Sequence, residues 1–277
     1  MASELVKRYL SVEDKVFLVT GGAAGVGAGV VRALLEENAR HVAFLDVLDR
    51  EGSLLEFELL NKYGPLTAKF IKCDVSDEEQ LANAYKYVLN KYRRLDGVIN
   101  NAAVLSVDES IYKRMVDVNF TAVVHSTMKA FQVMGRDNGM YSIGGLVINI
   151  SSLLALHLSN RLPVYASTKT AVLQFSMAMG AQEQHSKSGV RVMTICLGPT
   201  DTAILDRSNL QNFDKKFSEQ LTSRVQSRQK VASAVTGILH VMEHGKSGST
   251  WIVKNDQPAY EYTEKINEAF KILSETY

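Results

Sequence analysis

Tyr165 and Lys169 are four residues apart, so on a helix they share a face, one turn from each other. A phenol ionises near pH 10 and is a poor base at neutral pH. A neighbouring ammonium stabilises the phenolate and brings that ionisation down. The pair therefore suits moving a proton to or from an alcohol oxygen. Such a pair also arises by chance, so its surroundings must decide. Asn149-Ile150-Ser151-Ser152 closes an apolar run, and Ser152 stands 13 residues before Tyr165. Asn100-Asn101-Ala102-Ala103 closes another, and Asn119 lies in the helical stretch after it. Polar groups at the ends of apolar runs mark the carboxyl edge of a parallel sheet, where ligands bind.

A second constellation is Thr20-Gly21-Gly22-Ala23-Ala24-Gly25-Val26-Gly27. It joins an apolar run, Val16 to Thr20, to a helical pattern, Gly25 to Asn38. Glycines allow a sharp turn and a close approach of pyrophosphate to the backbone. The start of the following helix offers free N–H groups and partial positive charge. Gly21, Gly25, Val26 and Gly27 are the candidate phosphate contacts. Asp46 ends the next apolar run, 21 residues after Gly25, where a carboxylate can accept from adenosine ribose hydroxyls. It would also repel a 2′-phosphate, by about 4 kcal/mol for unit charges ~4 Å apart at an effective dielectric near 20. The expected cofactor is NAD rather than NADP. Asp74 and Val75 close a third run; they either touch the adenine edge or simply precede a helix.

These residues need elements to hold them. Strands are expected at Val16–Thr20, His41–Asp46, Leu66–Cys73, Leu95–Ile99, Gly144–Ile150, Val190–Cys196 and Thr250–Val253. Helices are expected at Gly25–Asn38, Glu51–Tyr63, Asp77–Tyr92 with Ser76 as its cap, Ile111–Met134, Pro163–Ser186 and Lys230–His244. Alternating strands and helices with near-continuous apolar strands imply an α/β fold: a doubly wound parallel sheet of about seven strands with helices on both faces. Neither linker nor repeat interrupts residues 1–277, so one domain is expected. A polar segment at about 203–229 reads as a lid, and the tail at 254–277 as irregular.

Composition limits the alternatives. The 277 residues carry a net charge of +1, which leaves no electrostatic reason to expect nucleic acid or an anionic membrane as partner. No apolar run is long enough to span a bilayer, and the first residues lack a secretory pattern. Cys73 and Cys196 form no metal or disulfide pattern; they read as buried thiols in a reducing, cytoplasmic setting. His157 either contacts substrate or is an exposed loop residue.

Together the TGxxxGxG loop (Thr20 to Gly27), Asn100 to Ala103, Asn119, the serine at Ser152 and the YxxxK pair (Tyr165, Lys169) resemble the short-chain dehydrogenase/reductase family over about residues 15 to 255. Gly198 to Leu205 and Gly248 to Trp251 look most like its NAD-dependent 15-hydroxyprostaglandin and insect alcohol dehydrogenase branch. The resemblance implies a Rossmann-type domain in which Tyr165 is the acid/base and Ser152 binds the substrate oxygen. Lys169 lowers the tyrosine pKa and binds the nicotinamide ribose. Asn119 kinks its helix and anchors a relay water. Thr202 holds the nicotinamide carboxamide, and Asn101 supports the loop beside the adenosine ribose. Ser151 is the alternative serine, but the 13-residue spacing favours Ser152. Two departures stand out: Leu197 replaces the usual proline before Gly198, and Ala103 replaces a usual glycine.

The expected substrate wall includes Leu154, Leu162, Ile204 and Leu205, with Leu153, Leu156, Leu210 and Phe213 as further candidates. Such a wall suits an apolar secondary alcohol or its ketone. Leu162 occupies a position where prostaglandin-oxidising relatives can carry a polar substrate contact, which counts against prostaglandin itself. The second reading is a nucleotide-binding or storage protein on the same fold, with catalysis lost. The resemblance also implies a homo-oligomer, dimer or tetramer, packed through the helices around 111–134 and 163–186, where Val172, Phe175 and Met179 suit either an outer contact or packing against the sheet.

Overall fold

A computed structural model describes residues 11–106, 108–138, 144–205 and 228–274. Its centre is one eight-stranded sheet in the order β3-β2-β1-β4-β5-β6-β7-β8. The strands are β1 (Val16–Thr20), β2 (His41–Asp46), β3 (Ala68–Lys72), β4 (Gly97–Asn100), β5 (Gly145–Ser152), β6 (Val190–Leu197), β7 (Thr250–Val253) and β8 (Tyr260–Glu261). β1 to β7 run parallel, and β8 pairs antiparallel with β7. Seven parallel strands were expected; the eighth comes from the tail. That tail also forms α9 (Thr263–Ser274), whose Ile266 is buried against Leu173, Cys196 and Ile252. The segment read as irregular is thus an edge strand and a docked helix.

The alternation of side chains along each strand splits the core into two layers. Phe17 and Val19, Val42 and Phe44, and Ile148 enter one layer. There they meet α1 (Gly25–Glu36), α2 (Asp49–Tyr63) and α8 (Val231–His244). Val16, Leu18, Ala43, Leu45 and Val147 enter the other, with α3 (Glu78–Tyr92) and the end of α5 (Ala122–Met134). Strands buried on both faces have no polar side to show, which is why they read as continuous apolar runs.

Three expected helices differ in detail. Asp77, not Ser76, caps α3: its carboxylate accepts from the Glu79 and Gln80 N–H groups, whereas Ser76 donates to Asp74. The stretch expected as one helix at 111–134 is α4 (Tyr112–Val116), a π-turn over Asp117–Thr121 and then α5. The helix expected over 163–186 stops at Gly180, giving α6 (Pro163–Met179) and α7 (Gln182–Ser188). A side chain on Gly180 would meet Gly248 N at 2.4 Å, so close backbone packing fixes glycine at the break. Most of the segment read as a lid, residues 206–227, lies outside the described residues, as do Leu210 and Phe213. Among the described residues no helix is long and apolar enough to cross a membrane.

β2 begins on a buried histidine. His41 is 0% exposed, its Nδ1 lies 2.7 Å from the Leu66 carbonyl oxygen, and its ring stacks on Tyr92 at 4.1 Å. Burial pushes its pKa down to about 4. The unfolded chain therefore takes the proton first, and stability present above pH 6.5 is lost as pH falls through about 4. The expected loss is up to about 3 kcal/mol. Urea unfolding from pH 7 to pH 4.5 checks this: His41→Phe should remove that part of the slope, and an unchanged slope would contradict it.

Candidate active site

The carboxyl ends of β1, β4, β5 and β6 meet at one edge of the sheet. β1 sits between β2 and β4, so the chain reverses its winding there and opens a crevice, the usual ligand site of such sheets. Three consecutive residues at the end of β5 hold α6. The Ile150 carbonyl accepts from Lys169 Nζ at 3.0 Å. Ser151 Oγ donates to the Lys169 carbonyl oxygen at 2.7 Å. The Ser152 hydroxyl accepts from the Leu154 N–H at 3.2 Å and stands near enough to the Tyr165 phenol to pull its pKa down. The two serines are thereby distinguished: Ser151 is buried under the helix backbone, and Ser152 faces the tyrosine.

Lys169 is 2% exposed, and its Nζ lies 5.7 Å from the centroid of the Tyr165 ring. Burial pushes the phenol up to about 12, with the Ser152 hydroxyl pulling the other way. Burial pushes the Lys169 ammonium down to about 8. Each group resists charge alone, and each charge would stabilise the other.

Asn119 falls in the π-turn, and its side chain clamps a backbone. Its Oδ1 accepts from the Val104 N–H at 2.8 Å, and its Nδ2 donates to the Val104 carbonyl at 2.9 Å. Nδ2 also reaches Thr168 Oγ1 at 3.3 Å, and Thr168 Oγ1 donates to the Tyr165 carbonyl at 2.7 Å. Thr168 thus joins Asn119 to the tyrosine turn. It did not stand out in the sequence, because a helical threonine carries no spacing signal. Behind the site, Asn100 donates to Asn149 at 2.8 Å and Asn149 to Ser176 Oγ at 2.8 Å. This buried chain ties β4, β5 and α6 together.

The glycine loop is as tight as its composition suggests. Gly21 has φ 64°, and a Cβ on Gly27 would lie 2.0 Å from the Gly21 carbonyl oxygen. Val26 is buried in the first turn of α1. Asn101 Nδ2 donates to the Thr20 and Gly21 carbonyls at 3.0 and 3.1 Å, so Asn101 binds the loop itself. α1 has no side-chain cap and no acidic residue in its first turn, which leaves its N–H groups for an anion. Asp46 Oδ2 accepts from the Ala23 N–H at 3.0 Å, setting a carboxylate beside that loop.

Other expected site residues lie further from such contacts. The Asp74 carboxylate takes Ser76 and an ion pair with Arg114 at 2.8 Å. Burial pushes its pKa up, but those partners outweigh this and hold it below the usual range. Val75 packs on Val118 and Ala122. Thr202 lies over the loop: a Cβ on Gly25 would meet its Cγ2 at 3.1 Å. Leu162 is 4% and Leu205 9% exposed, whereas Leu154 and Ile204 are half-buried. Leu153 and Leu156 pack against the cluster of Leu173 and Cys196. His157 is exposed. Cys73 and Cys196 are free and buried. At Leu197 the β6 pairing runs on without the proline, and the Gly198 N–H donates to the Val253 carbonyl at 2.8 Å.

Residues 15–212 match the short chain dehydrogenase family. The chain belongs to the short-chain dehydrogenase family. It is 34% identical over 197 residues to a 15-hydroxyprostaglandin dehydrogenase from Homo sapiens whose name specifies NAD(+), covering 71% of this chain and 72% of that one. It is 26% identical over 247 residues to alcohol dehydrogenase 2 of Ceratitis capitata, covering 88% and 92%. Levodione reductase superposes with a TM-score of 0.75 at 20% identity, over 88% of this chain and 97% of that one; at that identity the likeness is one of fold. Short-chain dehydrogenases are oxidoreductases.

The Asn119 clamp can be tested alone. Asn119→Ala leaves the Val104 N–H and carbonyl without partners, which should cost about 2 kcal/mol. Urea denaturation should show a lower midpoint; an unchanged midpoint would refute the clamp.

Proposed function

We propose that this short-chain dehydrogenase interconverts an apolar secondary alcohol and its ketone with NAD as hydride carrier, and that Tyr165 is the acid and base. The observation that carries the reading is the buried Lys169 ammonium 5.7 Å from the Tyr165 ring centroid, with the Ser152 hydroxyl near enough to pull the phenol's pKa down. The uncapped start of α1 and the loop that admits no side chain at Gly27 suit a dinucleotide pyrophosphate. The Asp46 carboxylate beside that loop favours an unphosphorylated ribose. Gly21, Gly25, Val26 and Gly27 would line the pyrophosphate; Asp46, Asp74, Val75 and Asn101 would serve the adenosine half. Tyr165, Lys169 and Thr202 would serve the nicotinamide half. The NAD(+) named in the human relative supports the same choice.

When bound, NAD supplies the hydride acceptor for oxidation and the donor for reduction. The chain's own residues do the rest. Ser152 donates to the substrate oxygen and holds it beside Tyr165. In oxidation the Tyr165 phenolate takes the hydroxyl proton; in reduction the phenol returns it. The Lys169 ammonium stabilises the phenolate, and Asn119 holds the π-turn beside this pair. Half-buried Leu154 and Ile204 would present the apolar wall, with Leu162 and Leu205 behind them, which suits an oxylipin-, steroid- or isoprenoid-like alcohol. Two copies would pack through α4 to α6. A groove of about 420 Å³ lined by Tyr112, Val116, Phe120 and Val164 lies between those helices. Of the positions open to either reading, Val172 is fully buried and Met179 packs on the core, so these two serve the sheet.

NADH formation with secondary alcohols of graded length tests the reading. Long apolar members should turn over best, and Tyr165→Phe should lower kcat/KM by about 10²- to 10⁴-fold while NADH still binds. Equal efficiency for three-carbon and ten-carbon secondary alcohols would contradict the apolar pocket. NADH binding with no turnover on any member would favour the binding or storage reading. In a separate titration, NADH should bind more tightly than NADPH, and Asp46→Ser should shrink the difference. Equal affinities in the unmodified protein would reject the choice of NAD.

A further inference from the structure

We propose that Gln229 is a positioning residue of the cofactor site, and that its buried amide sets the segment carrying Thr202 against Gly25. Gln229 is 0% exposed, and its Nε2 faces three oxygens from two places in the fold, the segment after β6 and the end of β7. It lies 3.4 Å from the Gly198 carbonyl oxygen, 3.0 Å from Thr200 Oγ1 and 3.1 Å from the Val253 carbonyl oxygen. An amide turned the other way would set its oxygen against two carbonyls, so the network itself fixes which end is nitrogen. The backbone repeats the grip. The Gln229 N–H donates to the Pro199 carbonyl at 2.9 Å, and the Asp201 N–H to the Gln229 carbonyl at 3.0 Å. Thr200 and Gln229 form a parallel bridge.

The segment held this way leads directly to Thr202. Thr200 Oγ1 donates to the Gly198 carbonyl at 3.0 Å, the Thr202 hydroxyl lies 3.4 Å from the Thr200 carbonyl oxygen, and the Leu205 N–H returns to the Thr202 carbonyl at 3.0 Å. Arg228 adds a second hold, donating to the Leu205 carbonyl at 3.0 Å and pairing with Asp201 at 3.3 Å. Thr202 then packs where a side chain on Gly25 would stand. β2, with Asp46, lies on one side of β1, and β6 on the other. A dinucleotide with its adenosine at Asp46 therefore meets Thr202 with its nicotinamide half. Gln229 acts on that half through Thr202 without touching the cofactor.

This inference rests on the proposed nucleotide reading, and the experiment separates the two. Dissociation constants are measured for NADH and for ADP-ribose, which lacks nicotinamide, in the unmodified protein, Gln229→Met, Thr202→Val and the double variant. ADP-ribose should bind the unmodified protein; failure there would overturn the nucleotide reading itself. Gln229→Met should weaken NADH about tenfold and ADP-ribose less than about twofold, a loss the size of one hydrogen bond. In the Thr202→Val background the Gln229→Met effect should vanish, because both changes remove the same contact. Equal losses for both ligands, or an undiminished effect in that background, would overturn the proposal. Should Gln229→Met fail to fold, Thr200→Val removes one of the three amide contacts. It should show the same selective loss for NADH over ADP-ribose, smaller in size, with equal losses for both ligands overturning the proposal.

Discussion

A lysine ammonium enclosed at the end of β5 is the constraint around which this molecule is arranged. Removing such a charge from water is costly unless partners replace the solvent. Lys169 has the Ile150 carbonyl as a neutral acceptor and the Tyr165 ring beside it. Burial alone drives the phenol and the ammonium toward their neutral forms. Ionised together they relieve each other.

That arrangement needs a rigid mount. Ile150 and Ser151 grip the head and the backbone of Lys169 in α6, and Ser152 pulls down the pKa of the Tyr165 phenol. A one-residue slip of β5 would reverse the faces that Ser151 and Ser152 present and carry the Ile150 carbonyl away from Lys169. The buried Asn100–Asn149–Ser176 chain resists such a slip by tying the same strand to β4 and to the far turn of α6. On the other side of the helix, Thr168 and Asn119 hold the tyrosine turn against the Val104 backbone.

Much of this was legible in the sequence because it rests on local rules. Strand runs buried on both faces, glycines that admit no side chain and a tyrosine one turn from a lysine each leave a spacing. The sheet, and the side chains it gathers at the end of β5, could be read that way. Contacts between distant segments leave none. Nothing around Gln229 announces that its amide meets Gly198 and Val253, and nothing in the tail pattern shows that Tyr260 will pair with Ile252. The helix expected over 163–186 breaks at Gly180 because Gly248 from another element comes within a side chain's distance. Ser76 and Asp77 are both good caps by type; the Asp74 carboxylate engages the serine and leaves the aspartate at the helix start.

The central claim is that the buried Lys169 charge governs the Tyr165 proton. The pH dependence of kcat/KM for alcohol oxidation, compared between the unmodified protein and Lys169→Met, tests it most directly. Oxidation requires phenolate, so the rate should rise with pH. Without the ammonium that rise should move to higher pH by about one unit or more. A variant that is slower at every pH but rises at the same place would show that Lys169 positions the site without tuning the tyrosine, and would contradict the account.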